Sequence, residues 1–256
     1  MIDFSTIDNN NIVPAAQSVL SGKKLALSNF YGVDDEDICD IYLGKNSVVV
    51  RKHEYDFYRI YLQTADLEEA KMILQNLGDS SYIVNIPSKK PIPEWYDILE
   101  LSGFENIGQY NRYFNTNVKV RKGACGEFAT MDNLESIDNI LKTHFSLYTD
   151  HLPTQKQLSV MIANHQVLVS RDENGEVKGT LIFTFQGKKC YYNAWIDFSG
   201  KGLFLLYKAY NIAVEHGIHY VYFWVNSINT EVIRLHQMMG AKFDGLVDYS
   251  FLKKHS

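Results

Sequence analysis

The chain has little cysteine, no low-complexity segment, no basic region and no long hydrophobic run, and each absence removes a class of protein. Three cysteines in 256 residues, Cys39, Cys125 and Cys190, are too widely spaced for a disulfide framework or a metal knuckle. Thiols in a reducing cytoplasm are the expectation, and no metal is expected. His165, His216 and His219 change nothing here, because no pair stands at a ligand spacing on one face. No apolar run approaches the length of a membrane-spanning helix, and Met1-Ile2-Asp3-Phe4-Ser5 lacks the basic, then apolar, character of a signal peptide. A cytoplasmic protein with no membrane partner is expected. With 25 Lys and Arg against 30 Asp and Glu, nucleic acid is not an expected partner either. The charge is uneven: residues 1–114 carry 10 basic against 17 acidic side chains. Such a face usually keeps a protein soluble, and it could also attract a cation.

What is present is apolar and aromatic. At 46% apolar and 13% aromatic residues, the chain can bury the core of one large domain or two ordinary ones. Its most legible stretch runs from Trp195 to Gly245, entered through a strand that begins at Tyr191. Tyr191–Ile196 reads as a buried strand that breaks on Asp197-Phe198-Ser199-Gly200-Lys201-Gly202. Leu203, Leu206, Tyr207, Tyr210, Ala213 and Val214 then recur at helical spacing up to Gly217. Two close glycines at a helix N-terminus leave backbone N–H groups open to a ligand without a Cβ in the way, a geometry suited to a pyrophosphate. Tyr220–Val225 is a second buried strand, followed by a helix that Asn229 caps and Gly240 ends.

These residues resemble the GNAT N-acetyltransferase superfamily, which shows Q/R-x-x-G-x-G/A after one strand and V-N-x-x-N-x-x-A-x-x-L-Y-x-x-x-G-F after the next. Asp197 to Gly202 follows the first pattern, with Asp197 in place of Gln or Arg. Val225 to Ala241 follows the second, with His236 in place of Tyr. The resemblance implies an acyl-CoA donor, with acetyl-CoA the first expectation, bound by Trp195, Ile196, Asp197, Phe198, Ser199, Gly200, Lys201, Gly202, Leu203 and Asn229. Lys201 would add charge, and Asn229 would meet the pantetheine arm. It also implies direct acyl transfer to a small-molecule or peptide amine, in which positioning and polarisation of the carbonyl supply much of the acceleration.

The acceptor side is less sharply marked. Tyr148, Asp150 and His151 lie in a loop resembling the family's acceptor-facing region, though each also reads as an ordinary loop residue. Tyr191 and Trp224, with Trp195, could wall an aromatic acceptor pocket or simply be core. No base is obvious, since Tyr191–Trp195 carries no carboxylate. His236 lies seven residues beyond Asn229 on nearly the same helix face. As an imidazolium it could protonate the departing thiolate, provided that burial does not strip its charge, or it could be a packed interface residue.

Residues 1–116 repeat much of this plan. Gly103 and Gly240, Gly108 and Gly245, and Phe114 and Phe251 each differ by 137 places. Helices are expected over Ile12–Leu20, Leu67–Leu77 after an Asp66 cap, and Pro93–Leu101. Strands are expected over Ser47–Arg51, Phe57–Leu62, Tyr82–Ile86 and Gln109–Phe114, with Asp34–Asp37 a charged loop. Where the second half has Gly200 and Gly202, the first has Gln63 and Ala65, followed by Asp66, Glu68 and Glu69, which satisfy a helix dipole themselves and repel phosphate. After Asn115-Thr116-Asn117, Val118–Thr130 reads as a strand region, then two helices and a hairpin about Asn174-Gly175.

The expected architecture is α/β, two tandem GNAT-like folds, each a mixed, largely antiparallel sheet flanked by helices. Residues 1–116 would form a degenerate unit without a donor loop, and 117–256 the catalytic unit. Two alternatives stay open: a Fem-type aminoacyl transferase using aminoacyl-tRNA, which low basicity disfavours, and a non-catalytic binding module of the same fold. Oligomeric state, acyl chain and acceptor are not legible.

Overall fold

The computed structural model describes residues 2–32 and 37–255, so Asp34, Asp35 and Glu36 of the charged stretch lie outside the described residues. In chain order the first elements are β1 (Ser5–Thr6), α1 (Asn9–Leu20), β2 (Leu27–Ser28), β3 (Cys39–Leu43), β4 (Ser47–Glu54), β5 (Phe57–Thr64), α2 (Leu67–Gln75), β6 (Ser81–Ser88), α3 (Pro93–Leu101) and β7 (Glu105–Asn115). They are followed by β8 (Glu127–Phe128), α4 (Leu134–His144), α5 (Gln155–Ala163), β9 (Val167–Arg171), β10 (Val177–Gln186), β11 (Lys189–Asp197), α6 (Gly202–Glu215), β12 (Tyr220–Asn226), α7 (Thr230–Met238) and β13 (Lys242–Lys253). The 137-residue shift carries α3 onto α7 residue for residue, 93–101 onto 230–238, and β7 onto β13.

Two compact units result, Met1–Gln109 with Leu246–Ser256, and Tyr110–Gly245. They depart from a linear division at residue 116 because each takes a strand from the other half of the sequence. In unit 1 the order is β1-β3-β4-β5-β6-β13, and β13 pairs antiparallel with β6 from Val247 with Ser88 to Lys253 with Tyr82. In unit 2 the order is β7-β12-β11-β10-β9-β8, and β7 pairs antiparallel with β12 from Asn115 with Val221 to Tyr110 with Asn226. Without these strands β6 and β12 would be bare edges with a row of unpaired backbone groups.

Both sheets are covered on two faces. In unit 2, Val167, Val169 and Ile182 alternate onto the face covered by α4 and α5, while Leu168, Leu181 and Phe183 point to α6 through Leu205, Leu206, Ala209 and Ala213. The expected strand over Val118–Thr130 is reduced to Glu127–Phe128. Its backbone finds other partners: the Asn211 side chain of α6 accepts from Arg121 N at 2.7 Å and donates to Arg121 O at 3.0 Å. Cys125 N donates to Phe204 O at 3.2 Å, and Gly126, at φ +115°, sits close against Leu205. The segment packs over a helix instead of joining a ladder.

In each unit one strand pair is parallel and parts midway. In unit 1, β5 and β6 pair from Phe57 with Ser81 to Ile60 with Val84 and no further. The chain fills the resulting gap itself. Strand β2 pairs with β5 beyond that point, Leu27 with Thr64 and Ser28 with Gln63. The buried Asn29 amide then spans both strands, donating to Ile60 O at 3.0 Å and Asn85 O at 2.9 Å and accepting from Leu62 N at 2.7 Å. Every arm of that amide is used, which is what burial requires.

Beside the plug lies a buried charged group. Arg59, 1% exposed, donates to Glu54 Oε2 from Nε at 3.0 Å and Nη2 at 2.8 Å, and also to Asn85 Oδ1. Asn85 Nδ2 donates to Asp248 Oδ2 at 3.0 Å. Burial would raise the Glu54 carboxyl, but Arg59 and Lys52 hold it down to about 2. With Arg59 thus balanced, burial prevails at Asp248 and pushes its carboxyl up to about 7. The folded chain keeps a proton there that the unfolded chain releases, so this contribution to stability is full below about pH 4 and is lost as pH rises through about 7. Asp248→Asn is expected to gain melting temperature relative to wild type as pH rises from about 4 to 8. Parallel Tm–pH curves for the two proteins would rule Asp248 out as the titrating group.

Candidate active site

Unit 2 leaves open the gap that unit 1 fills. β11 and β12 pair in parallel only from Lys189 with Tyr220 to Tyr192 with Phe223. At that point the β10–β11 register slips, Ile182 facing Ala194 and Phe183 facing Tyr192, so Asn193 is an extra residue. A bulge bends its strand and increases its twist, which carries the end of β11 away from β12. In unit 1 the corresponding register of β4 on β5 is unbroken from Ser47 with Thr64 to Glu54 with Phe57. Between the parted strands lies a cavity of about 470 Å³, walled by Tyr192 to Trp195 of β11 and Phe223 to Asn226 of β12. Leu206 of α6, Val232 and His236 of α7, and Tyr110, His144, Phe145 and Asp150 close it from the other sides. Three buried polar atoms in its wall have no hydrogen-bond partner among the described residues: Tyr192 Oη, Trp195 Nε1 and His236 Nδ1. Polar atoms so placed are costly unless something pairs with them.

The glycine turn lies beside this cavity. Gly200 has φ +76° with open space around it, whereas a Cβ on Gly202 would come within 3.1 Å of Asp197 Cβ and 3.5 Å of the Trp195 ring. Helix α6 begins at Gly202 with no side-chain cap and no acid in its first turn, and its first backbone bond inside the helix is Leu205 N to Lys201 O. The N–H groups of Gly202, Leu203 and Phe204 therefore have no acceptor within the helix. Helix α2 of unit 1 is the opposite: Asp66 accepts from Glu68 N and Glu69 N, and Glu69 binds Lys45 N and Asn46 N, each at 2.7 Å.

Asp197 folds into the turn. Its carboxylate accepts from Lys201 N at 2.9 Å, from Ser199 Oγ at 2.7 Å and from Ser170 Oγ. Lys201 Nζ reaches back to Arg171 O at 2.8 Å, so its ammonium is tied to the hairpin. Phe198 N goes to Lys178 O, and the Phe198 ring meets His144 at the cavity rim with centroids 4.4 Å apart. Of the residues expected at a donor, Trp195 and Asn229 line the cavity, and Asp197 to Leu203 form the adjoining turn and helix start. Ile196, paired with Thr180, lines no part of the cavity. Asn229 Oδ1 caps α7 through Val232 N at 3.3 Å.

On the other side Asp150 and Trp224 line the cavity, while Tyr148, His151 and Tyr191 do not. Tyr191 stacks on Tyr222 with centroids 5.0 Å apart. Asp150 is held by Ser146 N at 2.7 Å and Tyr110 Oη at 2.8 Å, and burial raises its carboxyl above the usual range. Tyr110 lies 40 residues away, and only the pairing of β7 with β12 brings it here. No cluster of three His, Cys, Asp or Glu fit to hold a metal occurs among the described residues.

His236 reaches the cavity, but not as the cation expected. Its ring is 3% exposed and lies against Phe223 and Trp195, with centroids 4.0 and 5.4 Å away. Burial pushes its pKa down to about 3, so at neutral pH it is a neutral imidazole. The same shift makes stability contributed here full above about pH 6.5 and lost as pH falls toward about 3, because the unfolded histidine takes up a proton that the folded one refuses.

The staple at Asp197 is open to test. Asp197→Ala removes the acceptor of Lys201 N, Ser199 Oγ and Ser170 Oγ together. It is expected to lower unfolding stability by about 1–3 kcal/mol in a denaturant titration, and an unchanged midpoint would show that the turn holds itself.

No family model matches the chain, and no curated protein matches it in sequence. Solved structures do match. A GCN5-related N-acetyltransferase from Sphaerobacter thermophilus aligns over 98% of this chain and 95% of its own at 13% identity, with a TM-score of 0.59. A GNAT-family acetyltransferase from Colwellia psychrerythraea aligns over 98% and 100% at 12% identity, TM-score 0.56. A tandem GNAT protein from the clavulanic acid biosynthesis pathway aligns over 100% and 99% at 9% identity, TM-score 0.58. At these identities the likeness establishes architecture, and the chain has the GNAT acetyltransferase fold, present twice in tandem.

Proposed function

We propose that the chain is an N-acyltransferase that moves an acyl group from acyl-CoA, acetyl-CoA first, to an amine held in unit 2. The observation that carries this reading is the meeting of an open strand gap with an uncapped helix N-terminus. Gly202, Leu203 and Phe204 offer N–H groups and a helix dipole to a pyrophosphate. The gap from Asn193 to Asp197 offers a slot for the pantetheine arm. Tyr192 Oη, Trp195 Nε1 and neutral His236 are the buried unpartnered polar groups of the wall, and they can meet the thioester and the departing sulfur. Their role is to orient and to donate hydrogen bonds, since the His236 ring has no standing charge to give at pH 7.

Unit 1 takes no donor in this reading. Ala26 to Asn29 occupy the gap, and Asp66 and Glu69 satisfy the nearby backbone. The low net basicity and the CoA-like turn favour this over transfer from aminoacyl-tRNA.

Calorimetric titration with acetyl-CoA should give one site per chain, lost by about tenfold or more in affinity in Gly202→Glu and Phe204→Glu, which put a carboxylate at the phosphate position. The first needs its melting temperature checked because of the close Asp197; Phe204 is 41% exposed and serves as the cleaner variant. Undiminished affinity in both folded variants would remove the donor site. A second measurement follows from the neutral imidazole. The turnover profile between about pH 6 and 8 should have the same shape in wild type and His236→Phe, whatever the height of the variant's rate. A falling limb near pH 6.5 present only in wild type would restore His236 as an imidazolium acid.

A further inference from the structure

The cavity of unit 2 contains one carboxylate and no lysine or arginine. Asp150 is fixed from two sides, by Ser146 N and by Tyr110 Oη, which is itself 3.0 Å from Thr149 Oγ1. An acid locked in this way has lost little further freedom to give up when a cation arrives. Beside it Phe145 and Trp224 are half-buried in the wall, Ile228 stands 83% exposed at the mouth, and the other polar lining groups include neutral amides and a phenol, Asn193, Asn226, Asn229 and Tyr110, with His144 at the rim. Arg112, whose guanidinium lies over the Trp224 ring, is paired with Asp244 at 2.6 Å.

We infer that the amine accepted here is a small monocation on an aromatic or aliphatic body, with Asp150 as the group that receives its ammonium. This rests on the acyltransferase reading for its chemistry but not for its binding. An amino acid would bring a carboxylate that no lysine or arginine of the wall can pair and that shares the cavity with the Asp150 charge, which weakens its binding relative to a plain amine. A polyamine would bring further ammonium groups into a cavity with a single acid. The volume, about 470 Å³, must also admit the acyl group and the end of the pantetheine arm, which favours an acceptor no larger than one ring or a short chain. In the transfer the ammonium gives one proton to Asp150, the freed lone pair forms the C–N bond as the C–S bond breaks, and the thiolate takes the second nitrogen proton. The products are a neutral amide, a free thiol and protonated Asp150, which returns its proton to solvent.

Three probes of one shape separate charge from fit: 2-phenylethylamine, 2-phenylethanol and phenylacetate, titrated into the full chain by calorimetry with and without CoA. The amine should bind about tenfold or more tighter than the alcohol, with phenylacetate weakest, and Asp150→Asn should erase the preference for the amine. Equal binding of the three by wild type, no binding of the amine under either condition, or a preference kept in folded Asp150→Asn would overturn the proposal. The wild-type series stands even if the variant does not fold. Amine binding that persists where acetyl-CoA fails to bind supports the amine site and overturns the donor reading alone.

Discussion

Two parallel strands that part after four residue pairs create a debt of hydrogen bonds, and the architecture of both units follows from how it is met. Beyond the last pair, backbone N–H and C=O groups on the facing edges have no ladder partner, and burying them unpaired costs on the order of a kilocalorie or more each. Either the chain supplies substitutes or a ligand can. Unit 1 supplies substitutes: a two-residue strand and one asparagine amide satisfy the edges. Unit 2 leaves the edges open around a cavity with three unpartnered polar atoms in its wall.

The same division runs through the helices that follow. Helix α2 begins on an aspartate cap and two glutamates, and α6 begins on glycine with no cap. One N-terminus is neutralised by the chain and the other is presented outward. Asp197 tempers this, because its carboxylate already takes the Lys201 N–H and two hydroxyls. It organises the turn so that the next three N–H groups project from a fixed start.

Much of this was legible beforehand, for identifiable reasons. Helices α3 and α7 were readable from proline, caps and apolar spacing, and the 137-residue shift made β13 the counterpart of β7. The glycine turn was readable because conformational demands at Gly200 restrict residue type. The plug at Asn29 was not, because a lone asparagine in a polar stretch carries no sign of which backbone it will meet. Nor was Tyr110 as the partner of Asp150, since a strand pairing joins them across 40 residues. The stretch 118–126 had strand-like composition, but its partner proved to be the side chain of Asn211. The charge state of His236 lay outside the sequence altogether, because it depends on burial against Phe223 and Trp195 and not on the helix position that the spacing gave.

The exchange of strands has a temporal meaning. Unit 1 draws its edge strand from Val247 to Lys253, so the chain must be made through residue 253 before its sheet can close. Unit 2, continuous from Tyr110 to Gly245, has all its strands earlier, although it lies later in the sequence. During synthesis from the N-terminus, the downstream unit is therefore the first whose chain is complete. Until then β6 waits as an open edge with Tyr82, Ile83, Val84 and Ile86 along it, a segment that would pair with any other extended strand it met.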